Sequence, residues 1–335
     1  MHRFTFVACL IAGIVIMVTI FFTSLTVGQY SMSISEVINA LLRNSENAMD
    51  ITVIWELRLP RTAVACLVGI ALSLSGLIYQ STFQNELASP DIIGVSSGAS
   101  VGVAAGLLLG LPLLAVSGLG FVLGTTAMIL TILVAKVFRN RSPIMLIIAG
   151  ILVSGLMGSI VSMIKMWANT DTVLPAIVFW LLGSFSSVNM IHFWILLPVI
   201  LSCLIFIFII SGKVLNNISL GEEEAKSKGI NYKAWRVVVL AIGTILTASS
   251  VSVAGAIGWI GLVVPHMTRL LCGHIAQRTI PVAALFGGSF MMVADILART
   301  LTNSEIPIGA ITGFLGIIIF IAILSIRRGQ KYVID

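Results

Sequence analysis

The sequence predicts an all-α polytopic membrane protein, and three features of its composition support this fold class. Hydrophobic residues make up 58% of the 335 positions and charged residues only 10%, whereas soluble domains carry about 25% charged residues. The mean hydropathy is +1.11. Thirty glycines suit membrane helices whose backbones pack closely. Residues 1–335 are expected to form a single transmembrane domain. The net charge of +6 is accounted for by basic loops at a membrane, so no nucleic-acid partner is indicated.

Apolar windows predict membrane spans on either side of one polar segment, 213–236. Windows of about 20 residues with few charges are long enough to cross a bilayer. A further apolar stretch, 237–265, is longer than one transmembrane helix of usual length and too short for two full-length ones. The clear windows are 4–24, 62–81, 92–111, 113–135, 144–164 and 191–211 before the polar segment, and 280–297 and 308–326 after it.

The distribution of Lys and Arg favours ten spans, because cytoplasmic loops are enriched in these residues. If 237–265 folds back as two helices, fourteen of the 19 basic residues lie inside and five outside. If 237–265 is a single helix, ten basic residues lie inside and nine lie outside. We therefore predict ten transmembrane helices with both termini in the cytoplasm and a short eighth helix at 258–271.

Two further segments are predicted to be helical without crossing the membrane. Residues 33–42 have apolar positions at helical spacing, and 174–185 are apolar over only about a dozen residues, which suits an interfacial or re-entrant helix. The third span carries a glycine at every fourth position, a pattern that indicates a seam for close helix packing. These glycines are Gly94, Gly98, Gly102, Gly106 and Gly110.

The polar segment 213–236 must lie in water, because it carries charges of both signs between apolar windows. Its middle, 220–229, is predicted to be a short helix with Ser219 as a possible N-cap and Gly229 as its stop. Three acids, Glu222, Glu223 and Glu224, would occupy its first turn, where the helix dipole favours negative charge. The segment is either an ordinary hydrophilic loop or a docking helix for a partner subunit.

Three arginines lie on the predicted outer side, against the usual charge bias. Arg58 and Arg61 precede the second span, and Arg299 ends the ninth. They are either snorkelling anchors or a basic collar that receives acidic groups of an external partner or substrate. Asp295 and Lys165 are the charged residues predicted at or near membrane depth, where acids usually mark ion coupling.

Other chemistry has little support in the sequence. His266, Cys272 and His274 are metal-ligand types, but their spacing does not place them on one helical face, so no metal site is predicted. The sequence contains no GxxxxGK[ST] phosphate loop, so energy from ATP would have to come from another subunit. An ion-coupled secondary transporter and an intramembrane enzyme remain the alternative classes.

In combination, several motifs resemble those of the FecCD-type permeases, the membrane subunits of bacterial ABC importers for iron-siderophores, haem and vitamin B12. The resemblance covers essentially the whole chain. Its markers are Arg58-Leu59-Pro60-Arg61, Leu87-Ala88-Ser89-Pro90 leading into Gly94-Val95-Ser96-Ser97-Gly98-Ala99, Leu220-Gly221 with Gly229, 258–269, Ala294-Asp295 with Arg299, and Glu305-Ile306-Pro307-Ile308-Gly309.

The resemblance implies a type II ABC importer fold and a dimer with a second copy or a paralogue. It implies two partner ATPases that bind ATP and magnesium, an extracytoplasmic substrate-binding protein, and no cofactor in this chain. The binding protein would dock on Arg58, Arg61 and Arg299. The ATPase would contact Leu220, Gly221, Glu222, Glu223, Glu224, Ala225 and Gly229, and the cytoplasmic gate would include Asn85, Leu87, Arg141, Ser142 and Pro143.

Three positions depart from the family pattern. Glu86 stands where a proline usually follows the asparagine, Ile318 replaces a usual proline, and Lys228 takes a commonly apolar place. The resemblance implies an iron-siderophore cargo as the commonest in the family, with haem or cobalamin as alternatives.

Overall fold

The computed structural model describes residues 2–138 and 143–331, and within these residues the chain is helical without strands. The α-helices are α1 His2–Thr26, α2 Ile34–Leu41, α3 Ala48–Thr52, α4 Leu59–Phe83, α5 Val95–Leu108, α6 Leu113–Val137, α7 Pro143–Trp167, α8 Val173–Leu181, α9 Met190–Ile210, α10 Asn216–Ile218, α11 Glu222–Ser227, α12 Tyr232–Ala254, α13 Ile260–Cys272, α14 Ala276–Thr300 and α15 Ile308–Lys331.

The long apolar helices confirm an all-α membrane protein. Within the described residues, seven helices are long and apolar enough to cross a membrane, and α5, α13 and α15 contribute shorter apolar stretches. The stretch 237–265 does divide into two helices, α12 and α13. The count of ten spans stays a prediction, because α5 and α13 have only 14 and 13 residues. The third predicted window is shortened at both ends, since Gly94 and Gly110 adopt positive φ angles.

The start of α4 is continuous with α3 through a wide helical turn. Val53–Arg58 forms a π-helical turn, and Leu59 donates its N–H to the Ile54 carbonyl. Pro60 follows as the second residue of α4. A proline inside a helix lacks the N–H and crowds the carbonyl four residues earlier, and a wider turn accommodates both effects. The helix therefore begins well before residue 62, where the apolar window begins.

Helix α4 is the centre of the bundle and packs against α1, α9, α12, α13 and α14. Glycines permit the closest of these contacts. A Cβ atom at Gly69 would collide with the backbone of Gly287 on α14, and one at Gly76 would collide with the backbone of Gly261 on α13. Lipid provides no hydrophobic drive between helices, so such van der Waals contact has to hold them together.

The predicted glycine seam is confirmed for three of its five members. Gly98, Gly102 and Gly106 lie against α6, where an added Cβ would meet Ala127, Leu119 and Val116 respectively. Gly94 and Gly110 instead flank α5 with φ angles of 92° and 65°, which glycine adopts without strain. The two predicted non-crossing helices are also present as α2 and α8. Ser33 caps α2 in a capping box with Glu36.

Replacing Gly76 by alanine tests the close contact between α4 and α13. Because the new methyl group has to displace the backbone of Gly261, we expect a loss of about 1–3 kcal/mol, the usual cost of overpacking. The apparent Tm of the purified protein, followed by intrinsic fluorescence, should fall by several degrees. Gly118→Ala on α6 is the matched control, since a Cβ there meets nothing within 4 Å. Equal Tm values for the two variants would contradict the contact.

Candidate functional site

The polar segment forms two short helices that continue from α9. A π-helical turn, Ser211–Leu215, leads into α10, and α11 follows after one turn of chain. The prediction that Ser219 caps this helix is wrong. Ser219 is still in the right-handed helical region and donates its hydroxyl to the Asn216 carbonyl. An N-cap residue needs non-helical backbone angles, and Gly221 supplies them with a φ of 111°.

Helix α11 is a small projection held by one buried residue. Ala225 is fully buried, whereas Leu220, Glu223 and Glu224 are exposed. Glu222 forms an ion pair of 2.7 Å with Lys226 one turn later. The predicted stop is confirmed, because Gly229 has a φ of 72° and Ile230 donates its N–H to the Ala225 carbonyl. The exposed side chains leave one face of α11 available to another protein.

The polar segment contacts the ends of two long helices. Gln84 ends α4 in the left-handed conformation, and its amide lies 2.8 Å from the position of a Cβ at Gly221. Asn216 binds the start of α14, because its Oδ1 accepts the Ala276 N–H at 2.8 Å and its Nδ2 donates to Gln277 at 2.8 Å. A displacement of this segment would therefore act directly on α4 and α14.

The predicted gate residues lie beside the same end of α4. Asn85 Oδ1 accepts the Leu87 N–H at 2.9 Å, and the Leu87 side chain is exposed. Glu86, the unusual residue of this turn, has a carboxylate oxygen 3.6 Å from His266 Nδ1. Pro143 is the first residue of α7. Arg141 and Ser142 lie outside the described residues.

The three arginines gather at the opposite end of the bundle. Two of them bind the last carbonyl groups of α1, which have no partner within the helix. Arg58 donates to Leu25 at 2.7 Å, to Thr26 at 3.0 Å and to Tyr30. Arg299 donates to Val27 at 2.7 Å and Ser24 at 2.6 Å. Positive charge is favourable at a helix C-terminus, so these cations have a structural role that neither sequence interpretation included.

Arg61 is the centre of a partly buried ionic cluster. Its Nε donates to Asp295 at 2.7 Å, and its two terminal nitrogens donate to Glu305 at 3.1 and 2.8 Å. Asp295 is fully buried, and its other oxygen lies 3.2 Å from Arg299 Nε. Ser184 donates to Glu305 at 3.0 Å. Four segments of the chain are thereby joined at this end.

The arginines also line a cavity of about 370 Å³. Tyr30 is part of its wall, and a hydrogen bond to Asp50 raises the pKa of this tyrosine. The structure thus brings Arg58, Arg61 and Arg299 together as predicted, but each already has partners within the chain. Their docking role stays a prediction. Sequence reasoning missed Glu305 as a partner of Arg61. Glu305 follows Arg299 closely in the sequence, and an acid so near a predicted outer cation was a usable signal.

Asp295 is the counter-ion of two arginines, so its burial needs no ion-coupling role. The three metal-ligand candidates of the sequence are not brought together. His266 packs against Phe320, with ring centroids 5.6 Å apart, and within the described residues no three metal-ligand side chains form a group.

The described helices form a membrane bundle from which one polar segment projects. A sequence model described as the FecCD transport family matches residues 15–326. The chain therefore belongs to the FecCD transport family, whose members are permease subunits of ABC importers that work with separate ATPase subunits. Family membership and the spans together make it an integral inner-membrane protein.

Characterised relatives cover most of the chain. The molybdate import system permease protein MolB of Haemophilus influenzae is 35% identical over 312 residues, which is 91% of this chain and 92% of the relative. The vitamin B12 import system permease protein BtuC of Escherichia coli is 39% identical over 281 residues, which is 82% of this chain and 84% of the relative. These names describe two different cargoes.

Solved structures share the fold. A transporter described as of the metal-chelate ABC type, in an inward-facing conformation, matches with a TM-score of 0.86 and 33% identity over 94% of this chain and 98% of that chain. PsaBC from Streptococcus pneumoniae, solved with a Fab, matches with a TM-score of 0.61 and 19% identity over 87% of this chain and 95% of that chain. The type II importer permease fold implied by the sequence is confirmed.

Asp295→Asn tests the ionic cluster. The substitution leaves Arg61 and Arg299 partly buried without their shared counter-ion. We expect a loss of about 3–5 kcal/mol, the range for breaking a buried ion pair, seen as a lower apparent Tm. Glu56→Gln, an exposed acid nearby, is the control and should leave the Tm unchanged. A Tm for Asp295→Asn equal to that of the wild type would show that the cluster is not needed for stability.

Proposed function

We propose that this chain is the permease subunit of an ATP-driven importer that carries a metal chelate, with a ferric siderophore as the first candidate, across the bacterial cytoplasmic membrane. The observation that carries the proposal is the exposed helix α11, joined through Gln84 and Asn216 to α4 and α14. A partner bound to α11 would act on helices that run through the whole bundle.

The proposed assembly contains two permease copies, or this chain and a paralogue, with two ATPases and an extracytoplasmic binding protein. ATP and magnesium would be held by the ATPases. Both termini and α11 would lie in the cytoplasm, as the distribution of Lys and Arg favours. The arginine cavity would then lie outside. Closure of the ATPases would displace α11 and move α4 and α14, switching the central pathway between outward-open and inward-open states.

The cargo proposal rests on the family resemblance and on the similarity to a metal-chelate type transporter. The relatives named for molybdate and vitamin B12 keep other metal-containing cargoes as alternatives, and haem is a further one. A metal chelate unites all of these candidates except molybdate, which is an oxyanion.

Uptake into proteoliposomes tests both the energy source and the cargo. The permease, its ATPase and candidate binding proteins are reconstituted with ATP inside, and radiolabelled ferric siderophore, haem, cobalamin and molybdate are offered separately. We expect accumulation of one cargo that requires ATP and the binding protein. Vesicles with the permease alone and a proton or sodium gradient are the control, since accumulation there would establish a secondary transporter instead.

Replacing Glu223 and Glu224 by lysine tests the coupling role of α11. Glu222 is kept because its ion pair with Lys226 supports the helix. The double reversal changes the charge of the exposed face, so we expect ATPase attachment to weaken about tenfold, in the range for interfacial charge pairs, and uptake to fall accordingly. Attachment is measured by co-purification from membranes at fixed salt.

The matched control is Glu46→Lys with Asp171→Lys, two exposed acids distant from α11 that give the same change in net charge. Attachment of the ATPase should be unaffected in this control. If both double variants retained the ATPase equally well, α11 would not be its docking site.

A further inference from the structure

We propose that α2 is an interfacial helix, which lies along the membrane surface on the side of the arginine cavity and inserts the side chains of Ile34, Ile38 and Leu42 among the lipids. The inference requires only that the chain spans a membrane. It therefore goes beyond the proposed transport function and does not depend on it.

Helix α2 has a wider apolar face than its packing within the chain requires. Val37 and Ala40 are buried against the protein. Ile34, Ile38 and Leu42 lie beside that face and are 71%, 50% and 64% exposed. At about 100° per residue, the buried and exposed apolar positions together cover an arc of about 200°. A helix that packs on a protein core usually needs an apolar stripe of only about 100°.

The rest of the circumference of α2 is polar. Ser35, Glu36 and Asn39 are exposed, and Glu36 completes the capping box with Ser33 at the start of the helix. The helix thus has three sectors, one against the protein, one apolar and exposed, and one polar. This arrangement suits a helix that lies in a membrane interface with its polar face toward water.

The position of α2 in the chain places it at the lipid-facing edge of the bundle. Its buried side packs against Leu25 and Phe21 at the end of α1. Only 6% of the apolar window of α1 is buried inside the bundle, and Phe22, in its last part, is 55% exposed. The end of α1 is also the end that Arg58 binds. Helix α2 therefore adjoins a lipid-facing helix at the level of the arginine cavity.

The residues at the C-terminal end of α2 are typical of a membrane–water boundary. Trp55 donates its indole N–H to the Ala40 carbonyl at 3.1 Å, and the guanidinium carbon of Arg43 lies 4.8 Å from the centre of the Trp55 ring. Tryptophan is enriched at both surfaces of a membrane. Arginine can lay its stem on apolar groups and keep its charge in water.

The small size of the exposed apolar sector favours lipid over another protein. Exposed apolar patches mark either protein or membrane contacts. A stable protein–protein interface buries at least about 1,200 Å², and three aliphatic side chains supply only a small part of that area. A membrane surface needs no such minimum, because α1 already holds α2 beside it.

Collision measurements with nitroxide spin labels test the contact in the full-length protein in nanodiscs. Labels are attached to cysteines introduced singly as Ile34→Cys, Ile38→Cys and Leu42→Cys, with Ser35→Cys and Asn39→Cys as matched controls. The wild type, treated identically, gives the background signal of the four native cysteines. Oxygen concentrates in lipid, whereas a neutral nickel chelate stays in water. We expect the nickel chelate to reach the first three labels several-fold less often than the controls, and oxygen to reach them more often.

Two other patterns would overturn the proposal. Equal access of the nickel chelate to all five labels would place the apolar sector in water, where it could await an external protein. Low access of both reagents to the labels at 34, 38 and 42 would show that protein covers them, as a second copy of the chain would.

A pair of double variants tests whether the apolar sector holds the whole helix at the lipid. With the label at position 42, Ile34→Glu combined with Ile38→Glu should raise the collision rate of the nickel chelate several-fold, because two charges in the apolar sector favour water. Ser35→Glu combined with Asn39→Glu adds the same charge to the polar sector and should leave the rate unchanged. Equal rates in the two double variants would contradict the insertion of this face.

Discussion

The close contact of α4 with α13 and α14 is the constraint on which the rest of the fold depends. At Gly69 and Gly76, backbone meets backbone with no space for a side chain. In lipid such contacts replace hydrophobic burial as the source of packing energy. The 25 residues of α4 extend about 37 Å along its axis, so one rigid element connects the polar segment at one end with the ionic cluster at the other.

Charge at the end of the bundle opposite the polar segment is explained by local chemistry. Helix α1 ends without basic residues in its last turn, and Arg58, just before α4, and Arg299 on α14 supply the missing donors. A buried ion pair seldom adds much net stability, because desolvation offsets the attraction, but breaking one is costly. The cluster therefore serves mainly to hold α1, α4 and α14 in one arrangement.

The sequence allowed most of the elements to be predicted, because apolar windows, positive-inside charge and glycine spacing depend on local composition. The N-cap of α11 and the partners of the arginines depend on tertiary structure, which local composition does not describe. Ser219 has the chemistry of an N-cap, yet the turn after α10 keeps it helical and Gly221 takes that position. Arg58 faces carbonyl groups about thirty positions earlier, and Arg61 pairs with acids more than 230 positions away. Linear spacing alone does not specify such pairs, even where the charges of the two segments are complementary.

Helices α4 and α14 are joined at three levels, and this limits how the bundle can move. Arg61 and Asp295 bridge them at one end, Gly69 and Gly287 touch in the middle, and the polar segment contacts both at the other end through Gln84 and Asn216. Sliding one helix past the other would break the bridge and the glycine contact together. Packed interfaces switch between discrete arrangements rather than deforming continuously. The pair is therefore suited to move as one rigid body. The backbone changes that such a movement requires would then occur in the loops at the two ends of the pair.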